Sequence, residues 1–170
     1  MLPSSAAAML RIVSIVSFVF ALVFASGAFP GFDVASQTLH DFLDFPLDGK
    51  IGPYTEEARW FSAIGGGVFA AMTVMFYLIV VPGVARGDRE VIRGAVTALI
   101  VWFVIDSAGS IAAGVPANAV ANVSFLALFL WPLLSSGPFA SGATSLGRSA
   151  SPIQPAVALP PAPRRLRPSH

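Results

Sequence analysis

Residues Gly94 to Leu134 read GAVTALIVWFVIDSAGSIAAGVPANAVANVSFLALFLWPLL, and this stretch decides the fold. Along its whole length it carries one formally charged side chain, Asp106. A helix needs about 18 or more apolar residues to cross the roughly 30 Å hydrocarbon core of a membrane. Gly114 and Pro116 interrupt the stretch, and these residue types favour a helix end followed by a new helix start. The pattern therefore predicts two antiparallel membrane-spanning helices joined by a very short turn.

Two further apolar segments precede this hairpin. The four predicted spans are about 12–29, 60–82, 94–113 and 117–134. Continuous apolar runs favour helices, because strands of a membrane barrel alternate polar and apolar residues over about ten positions. We therefore predict an all-α membrane protein in which residues 1–134 form an antiparallel bundle of four transmembrane helices, with an outer loop at 30–59.

The composition of the whole chain agrees with this architecture. Of its 170 residues, 55% are apolar and 11% are charged, whereas soluble domains contain about 45–50% apolar and about 25% charged residues. The absence of cysteine excludes disulfide scaffolds, cysteine-ligated metals and thiol catalysis. A net charge of +1 gives no field that would attract nucleic acid. We predict the lipid bilayer as the principal partner, with no nucleic acid, metal or other cofactor.

Basic residues are concentrated on one side of the predicted membrane. Eight of the ten basic residues lie on this side: Arg11, Arg86, Arg89, Arg93, Arg148, Arg164, Arg165 and Arg167. By the positive-inside rule, both termini are predicted to be cytoplasmic (N-in/C-in), and the acidic loop 30–59 faces outward. Nine arginines against one lysine are typical of a GC-rich bacterial genome, which predicts the bacterial inner membrane.

The two ends of the chain have their own patterns. From Ser135 onward the composition changes to Ser, Gly, Ala and Pro, which predicts a disordered cytoplasmic tail over 135–170. At the other end, Arg11, the apolar run after it and Ser26–Ala28 also fit a cleavable signal peptide. The apolar run is longer than the usual 7–15 residues of a signal peptide, which favours a retained helix.

Small residues on the second span predict a helix-packing face. Ser62, Gly66 and Ala70 follow one another at four-residue spacing, with Gly67 beside them. In lipid, helices associate where small residues allow their backbones to approach closely. The glycines lack the strand, lysine and spacing of a phosphate-binding loop, so helix packing is favoured over contact with a ligand.

Asp106 is the candidate functional residue. A carboxyl in hydrocarbon costs several kcal/mol unless it is paired, hydrated or protonated. It lies eight residues, or about 12 Å, before Gly114, and we expect it to face the glycine-rich second span. The predicted polar cluster comprises Asp106, Ser107, Ser110, Asn118 and Asn122, with Ser62 and the cation Arg59 at its edge.

Two interpretations of this cluster lead to two functions. If it is a hydrogen-bond network that fixes helix register, the chain is a non-enzymatic accessory or assembly subunit, with a membrane-protein partner or further copies of itself. Sequence favours this function. If Asp106 titrates or binds a ligand, the chain is a proton-coupled small-solute transporter or a ligand-binding membrane protein.

Catalysis is disfavoured by the inventory of ionisable residues. His40 and His170 both lie outside the predicted spans, and Asp106 is the one carboxyl within them. No catalytic residue is therefore assigned, because acid–base and nucleophilic mechanisms need a second group within reach. His40 is interpreted as an ordinary surface residue, with pH sensing as the alternative.

The stretches Arg59-Trp-Phe-Ser-Ala-Ile-Gly-Gly-Gly and Trp102-Phe-Val-Ile-Asp-Ser-Ala-Gly-Ser110, followed by Asn118 and Asn122, resemble a family of small, uncharacterised four-span bacterial membrane proteins. The resemblance covers roughly residues 54–134. It implies the four-span architecture and a bacterial membrane, and it implies no activity.

Overall fold

The computed structural model describes residues 1–44 and 48–136, and the regular structure within these ranges is helical. In chain order the elements are α1 (Pro3–Ala25) with a 3₁₀ turn (Ser26–Ala28), α2 (Val34–Asp44), α3 (Glu56–Met75) with a π turn (Phe76–Val80), α4 (Val81–Arg86), α5 (Arg89–Ala112) and α6 (Pro116–Ser135). The segment α3, π turn and α4 is one continuous helix. The predicted tail lies outside the described residues from position 137 onward.

Four helices are long and apolar enough to cross a membrane: Pro3–Ala28, Glu56–Arg86, Arg89–Ala112 and Pro116–Ser135. They pack against one another, so the prediction of an all-α protein with four candidate transmembrane helices is confirmed. The first helix begins before its predicted start, and the second is longer at both ends. The chain has the architecture of a multi-pass membrane protein.

Local sequence explains where these helices begin and end. Thr55 caps α3 by accepting a hydrogen bond from the Ala58 amide at 3.2 Å. The Asp88 carboxylate caps α5 by accepting from the Glu90 and Val91 amides at 3.1 and 3.2 Å. Between α4 and α5, Gly87 has a φ of 70°, a left-handed conformation that costs glycine little. These caps supply partners for backbone groups that a helix end leaves unpaired.

The π turn accommodates a proline within the second long helix. The Val81 amide donates to the Phe76 carbonyl, five residues back, immediately before Pro82. Proline has no N–H to donate and would clash with the carbonyl four residues earlier in a regular helix. The wider turn lets the helix continue past Pro82 instead of breaking.

The buried core lies at one end of the bundle. We call this the basic end, where α1 and α5 begin and α4 and α6 end; the opposite end, with α2, is the loop end. The core residues are Ala6, Ala7, Leu10, Val13, Phe76, Val80, Val81, Val84, Ile92, Ala95, Leu99, Phe129 and Leu133. The rings of Phe76 and Phe129 meet edge to face, with centroids 4.8 Å apart.

The glycine-rich face of α3 packs against α1. A Cβ on Gly66 would lie 2.6 Å from the Cα of Ala25, so the two backbones are in close contact. Ser62 is also buried in this region, and Ala70 is half-buried. Gly67 is exposed, with open space where its Cβ would be, so it lies outside the face that packs on α1. Four-residue spacing selects one face, and the next residue lies about 100° around the helix.

Helices α5 and α6 form the predicted antiparallel hairpin, turned by Gly114 with a φ of 82°. Helix α6 packs on α1 and α2, while α5 contacts the π turn and α4 at the basic end. Toward the loop end, a cleft lies between α3 and α5. The bundle is therefore closed by its core at the basic end and open at the loop end.

Candidate functional site

The polar residues of α5 and α6 form two linked hydrogen-bond groups. Asn122 Nδ2 donates to Asp106 Oδ2 at 2.9 Å and to Ser107 Oγ at 3.2 Å. One turn closer to the hairpin, Asn118 Nδ2 donates to Ser110 Oγ at 2.7 Å, and Ser110 Oγ donates to the Asp106 carbonyl at 2.8 Å. The structure thus brings together all five residues of the predicted polar cluster.

Asn122 holds the carboxylate in place. Its side chain is buried, with 4% exposure, whereas Asp106 is half-buried. Asn118 and Asn122 lie four residues apart, so both side chains are on the face of α6 that meets α5. Across residues 1–44 and 48–136, every fully buried side-chain nitrogen or oxygen has a hydrogen-bond partner.

Arg59 does not belong to this cluster. Its Nη2 lies 2.9 Å from Asp33 Oδ2, and its Nη1 donates to the Gly27 carbonyl at 3.3 Å. The prediction that Arg59 is the cation near Asp106 is corrected: the arginine ties the start of α2 to the end of α1. Within the described ranges, no basic side chain lies within 4.0 Å of the Asp106 carboxylate.

Asp106 lines two clefts at the loop end. The loop cleft, of about 860 Å³, lies between α2 and the α5–α6 hairpin. The phenylalanine cleft, of about 580 Å³, lies among α1, α3, α5 and α6. Asn118 and Ile105 also line both. Gly65 lines the second cleft, so part of the glycine-rich span shares a cleft with the carboxyl without packing on it.

Three phenylalanines from three helices cluster along the phenylalanine cleft. Phe20 of α1, Phe69 of α3 and Phe125 of α6 meet edge to face, with ring centroids 5.1–6.1 Å apart. Phe125 lies one turn beyond Asn122, toward the basic end. The cluster therefore separates the polar residues from the core at the basic end.

Helix α2 places His40 at the edge of the loop cleft, where it is half-buried, and the interpretation of an ordinary surface histidine is corrected. The Tyr54 hydroxyl and His40 Nδ1 share a hydrogen bond, and Ser36 Oγ lies 3.2 Å from both that hydroxyl and the Phe24 carbonyl. The His40 ring also meets Phe24 edge to face. These contacts fix α2 against the end of α1.

The surroundings of α2 shift two pKa values. Burial lowers the pKa of His40, and the nearby Asp44 carboxylate opposes that effect. Burial acts to raise the pKa of Asp33, but its hydrogen bonds with Arg59, a backbone amide and Gln37, together with the charge of Arg59, outweigh burial and hold the pKa below its usual value. His40 is therefore neutral near pH 7, and Asp33 is ionised.

Sequence reasoning missed the contribution of α2 to the site. His40, Leu43 and Asp44 line the loop cleft, although about 60 residues separate them from Asp106 in the chain. Of the apolar residues of this helix, Leu43 lines the cleft, while Val34 and Phe42 are exposed. Groups of three or more residues arranged to hold a metal do not occur in the described part of the chain.

Comparison of the chain with family models, with curated proteins and with solved structures found no match. The fold and the geometry around Asp106 are therefore the observations on which a function rests.

Proposed function

We propose that this chain is a non-enzymatic, multi-pass membrane protein that binds a small ligand in the clefts beside Asp106. One observation carries the proposal: a half-buried carboxylate, held by a buried asparagine, lines both clefts. Ionisable residues within membrane spans are costly, and they commonly mark ligand or ion pathways. A cleft with mainly apolar walls and a few convergent polar groups has the general character of a small-molecule site.

The hydrogen bonds of the two serines support a binding role over catalysis. A serine nucleophile needs a base that accepts its proton. Ser110 Oγ instead donates to the Asp106 carbonyl, and Ser107 Oγ accepts from Asn122. Both hydroxyls are engaged in fixing α5 against α6.

We further propose that the ligand enters from the loop end, which faces outward in a bacterial inner membrane with both termini cytoplasmic. The packed core at the basic end favours entry from the opposite side. Arg86, Arg89 and Arg93 cluster at the basic end, as the positive-inside rule requires of a cytoplasmic face. Helix α1 supplies Leu10 and Val13 to the core, which supports a retained helix over a cleaved leader.

A second candidate is the accessory or assembly subunit. Ala63, Gly67 and Ala71 form an exposed row on α3, next to the row that packs on α1. Small residues allow close helix approach in lipid, so this row suits contact with a partner helix or another copy of the chain. Co-purification of a defined larger assembly from native membranes would favour this candidate.

The ligand proposal is tested by filling the loop cleft. Gly109 lines this cleft, and a Cβ there would meet nothing within 4 Å, so Gly109→Leu puts an apolar side chain into open space. Gly94→Leu is the matched control, because Gly94 lies on the same helix with equal space and outside both clefts.

The measurement is thermal unfolding in phosphatidylcholine nanodiscs with three probes of similar apolar bulk: tetraphenylphosphonium, tetraphenylborate and triphenylphosphine oxide. At least one probe is expected to raise the unfolding midpoint of the wild type and of Gly94→Leu, but not of Gly109→Leu, since binding to the folded state alone stabilises it. No shift with any probe, or equal shifts in both variants, would contradict the proposal.

A further inference from the structure

We propose that the ligand of the Asp106 site is a hydrophobic organic cation, with one positive charge on an apolar or aromatic body. This inference rests on the proposed function and specifies the chemical class of its ligand.

The charge of the site determines the sign of the charge that the ligand carries. The carboxylates of Asp106 and Asp44 line the loop cleft. Lysine and arginine are absent from the described residues that line either cleft. At the loop end, Arg59 pairs with Asp33 and Lys50 pairs with Asp48. A carboxylate in an environment of low dielectric favours an opposite charge and disfavours an anion.

Other titratable groups around the loop cleft do not reverse this sign. His40 faces the cleft from α2, and its lowered pKa keeps the ring neutral near pH 7. The single hydrogen bond that the Asp106 carboxylate accepts within the described ranges comes from the uncharged Asn122 amide. The charge of Asp106 therefore remains available to a ligand.

The aromatic residues that line the clefts determine the chemistry of the uncharged part of the ligand. Aromatic residues surround the two clefts: Phe20, Phe24, Phe61, Phe69, Trp102 and Phe125. Aromatic rings attract a nearby cation through their π faces and bury apolar groups. An inorganic divalent ion is a poor fit, because calcium takes 6–8 oxygen ligands and magnesium takes octahedral oxygen ligands. The clefts, of about 860 and 580 Å³, have the size of sites for drug-sized molecules.

The test compares two probes of the same shape and opposite charge on the same protein. Tetraphenylphosphonium and tetraphenylborate are titrated into the wild-type full chain in phosphatidylcholine nanodiscs, with empty nanodiscs subtracted for partition into lipid. The cation is expected to bind at least about tenfold more tightly than the anion. This comparison does not depend on the folding of any variant.

Asp106→Asn then tests the residue. The asparagine oxygen can still accept the hydrogen bond from Asn122, so the variant removes the charge and keeps the contact. The Kd of tetraphenylphosphonium is expected to rise roughly tenfold or more, the size of losing one charge-assisted interaction. Asp48→Asn is the matched control, because it removes a carboxylate from the loop end outside both clefts; it should leave the Kd unchanged.

The outcomes separate the ligand class from the site itself. If tetraphenylborate or triphenylphosphine oxide binds better than the cation, and Gly109→Leu abolishes that binding, the cation proposal is overturned while the ligand site stands. If no probe binds, or if binding ignores Gly109→Leu, both are overturned. A tetraphenylphosphonium Kd that is equal in wild type and Asp106→Asn also overturns the cation proposal.

Discussion

At the scale of single residues, the ionisable groups of the loop end divide into two kinds. Asp33 is paired with a cation and fixes backbone, through Arg59 and the Gly27 carbonyl. Asp106 accepts from an uncharged amide and lines open space. The Asp33 carboxylate is buried and has Arg59 as its counter-charge, whereas a carboxylate in a membrane span without a counter-charge is costly to keep. The second kind is therefore the better indicator of function.

His40 makes stability depend on pH at the residue scale. Its pKa is lowered in the folded protein, first by burial, while the unfolded chain has the ordinary value of about 6.5. As the pH falls below that value, the unfolded chain takes up the proton more readily than the folded protein. Stability is therefore highest above about pH 6.5 and falls as the pH drops toward the lowered folded value.

The measurement is the thermal midpoint of wild type and His40→Gln in nanodiscs between pH 7.5 and pH 5. The wild-type midpoint should fall across this range, and the variant should lose most of that slope. Asp33 does not interfere, since its folded pKa lies below the ordinary 3.8. Equal slopes in the two proteins would assign the pH dependence to other groups.

At the scale of helices, α3 has two small-residue rows with different surroundings. A Cβ on Gly66 would lie 2.5–2.7 Å from three atoms of Ala25, and two of these are backbone atoms that cannot rotate away. A Cβ on Gly67 would meet nothing within 4 Å. Identical substitutions one residue apart thus distinguish packing from helix propensity.

Gly66→Ala is expected to lower the free energy of unfolding by about 1–3 kcal/mol, the usual cost of overpacking a tight contact. Gly67→Ala should be neutral or slightly stabilising, because alanine is a better helix former than glycine. Unfolding of both variants in mixed micelles with increasing denaturing detergent measures the difference. Equal effects would show that α3 does not pack on α1 through Gly66.

The helices also show how far sequence reasoning reaches. The four apolar runs predicted the helices, and the three-residue turn at 113–115 required α5 and α6 to be neighbours, which placed Asp106, Asn118 and Asn122 together. The connection between α1 and α3 is long, and it leaves open which helix the glycines of α3 meet. In the structure, Gly66 packs on α1 and Arg59 pairs with Asp33 in that connection. A hydropathy pattern encodes neither contact.

At the scale of the whole molecule, the bundle is asymmetric along its axis. The core residues occupy the basic end, and both clefts occupy the loop end. Function by this account requires the loop end to be outside the cell and the basic end inside. The chain contains no native cysteine, so single cysteines report orientation without further changes.

Two exposed positions mark the two ends, Thr38 on α2 and Glu90 at the start of α5. In intact spheroplasts, a membrane-impermeant maleimide is expected to label Thr38→Cys but not Glu90→Cys. After permeabilisation both should react. Labelling of Glu90→Cys alone before permeabilisation would reverse the proposed orientation and place the clefts on the cytoplasmic side.

The central claim is that Asp106 is retained for binding rather than for stability, and thermal unfolding of wild type and Asp106→Asn in nanodiscs from pH 5 to 9 tests it most directly. The asparagine can keep the Asn122 hydrogen bond and removes a charge that no base neutralises within the described ranges. The account predicts that the variant is as stable as the wild type or more stable. A variant clearly less stable at every pH would contradict the account and make the carboxylate part of a structural network.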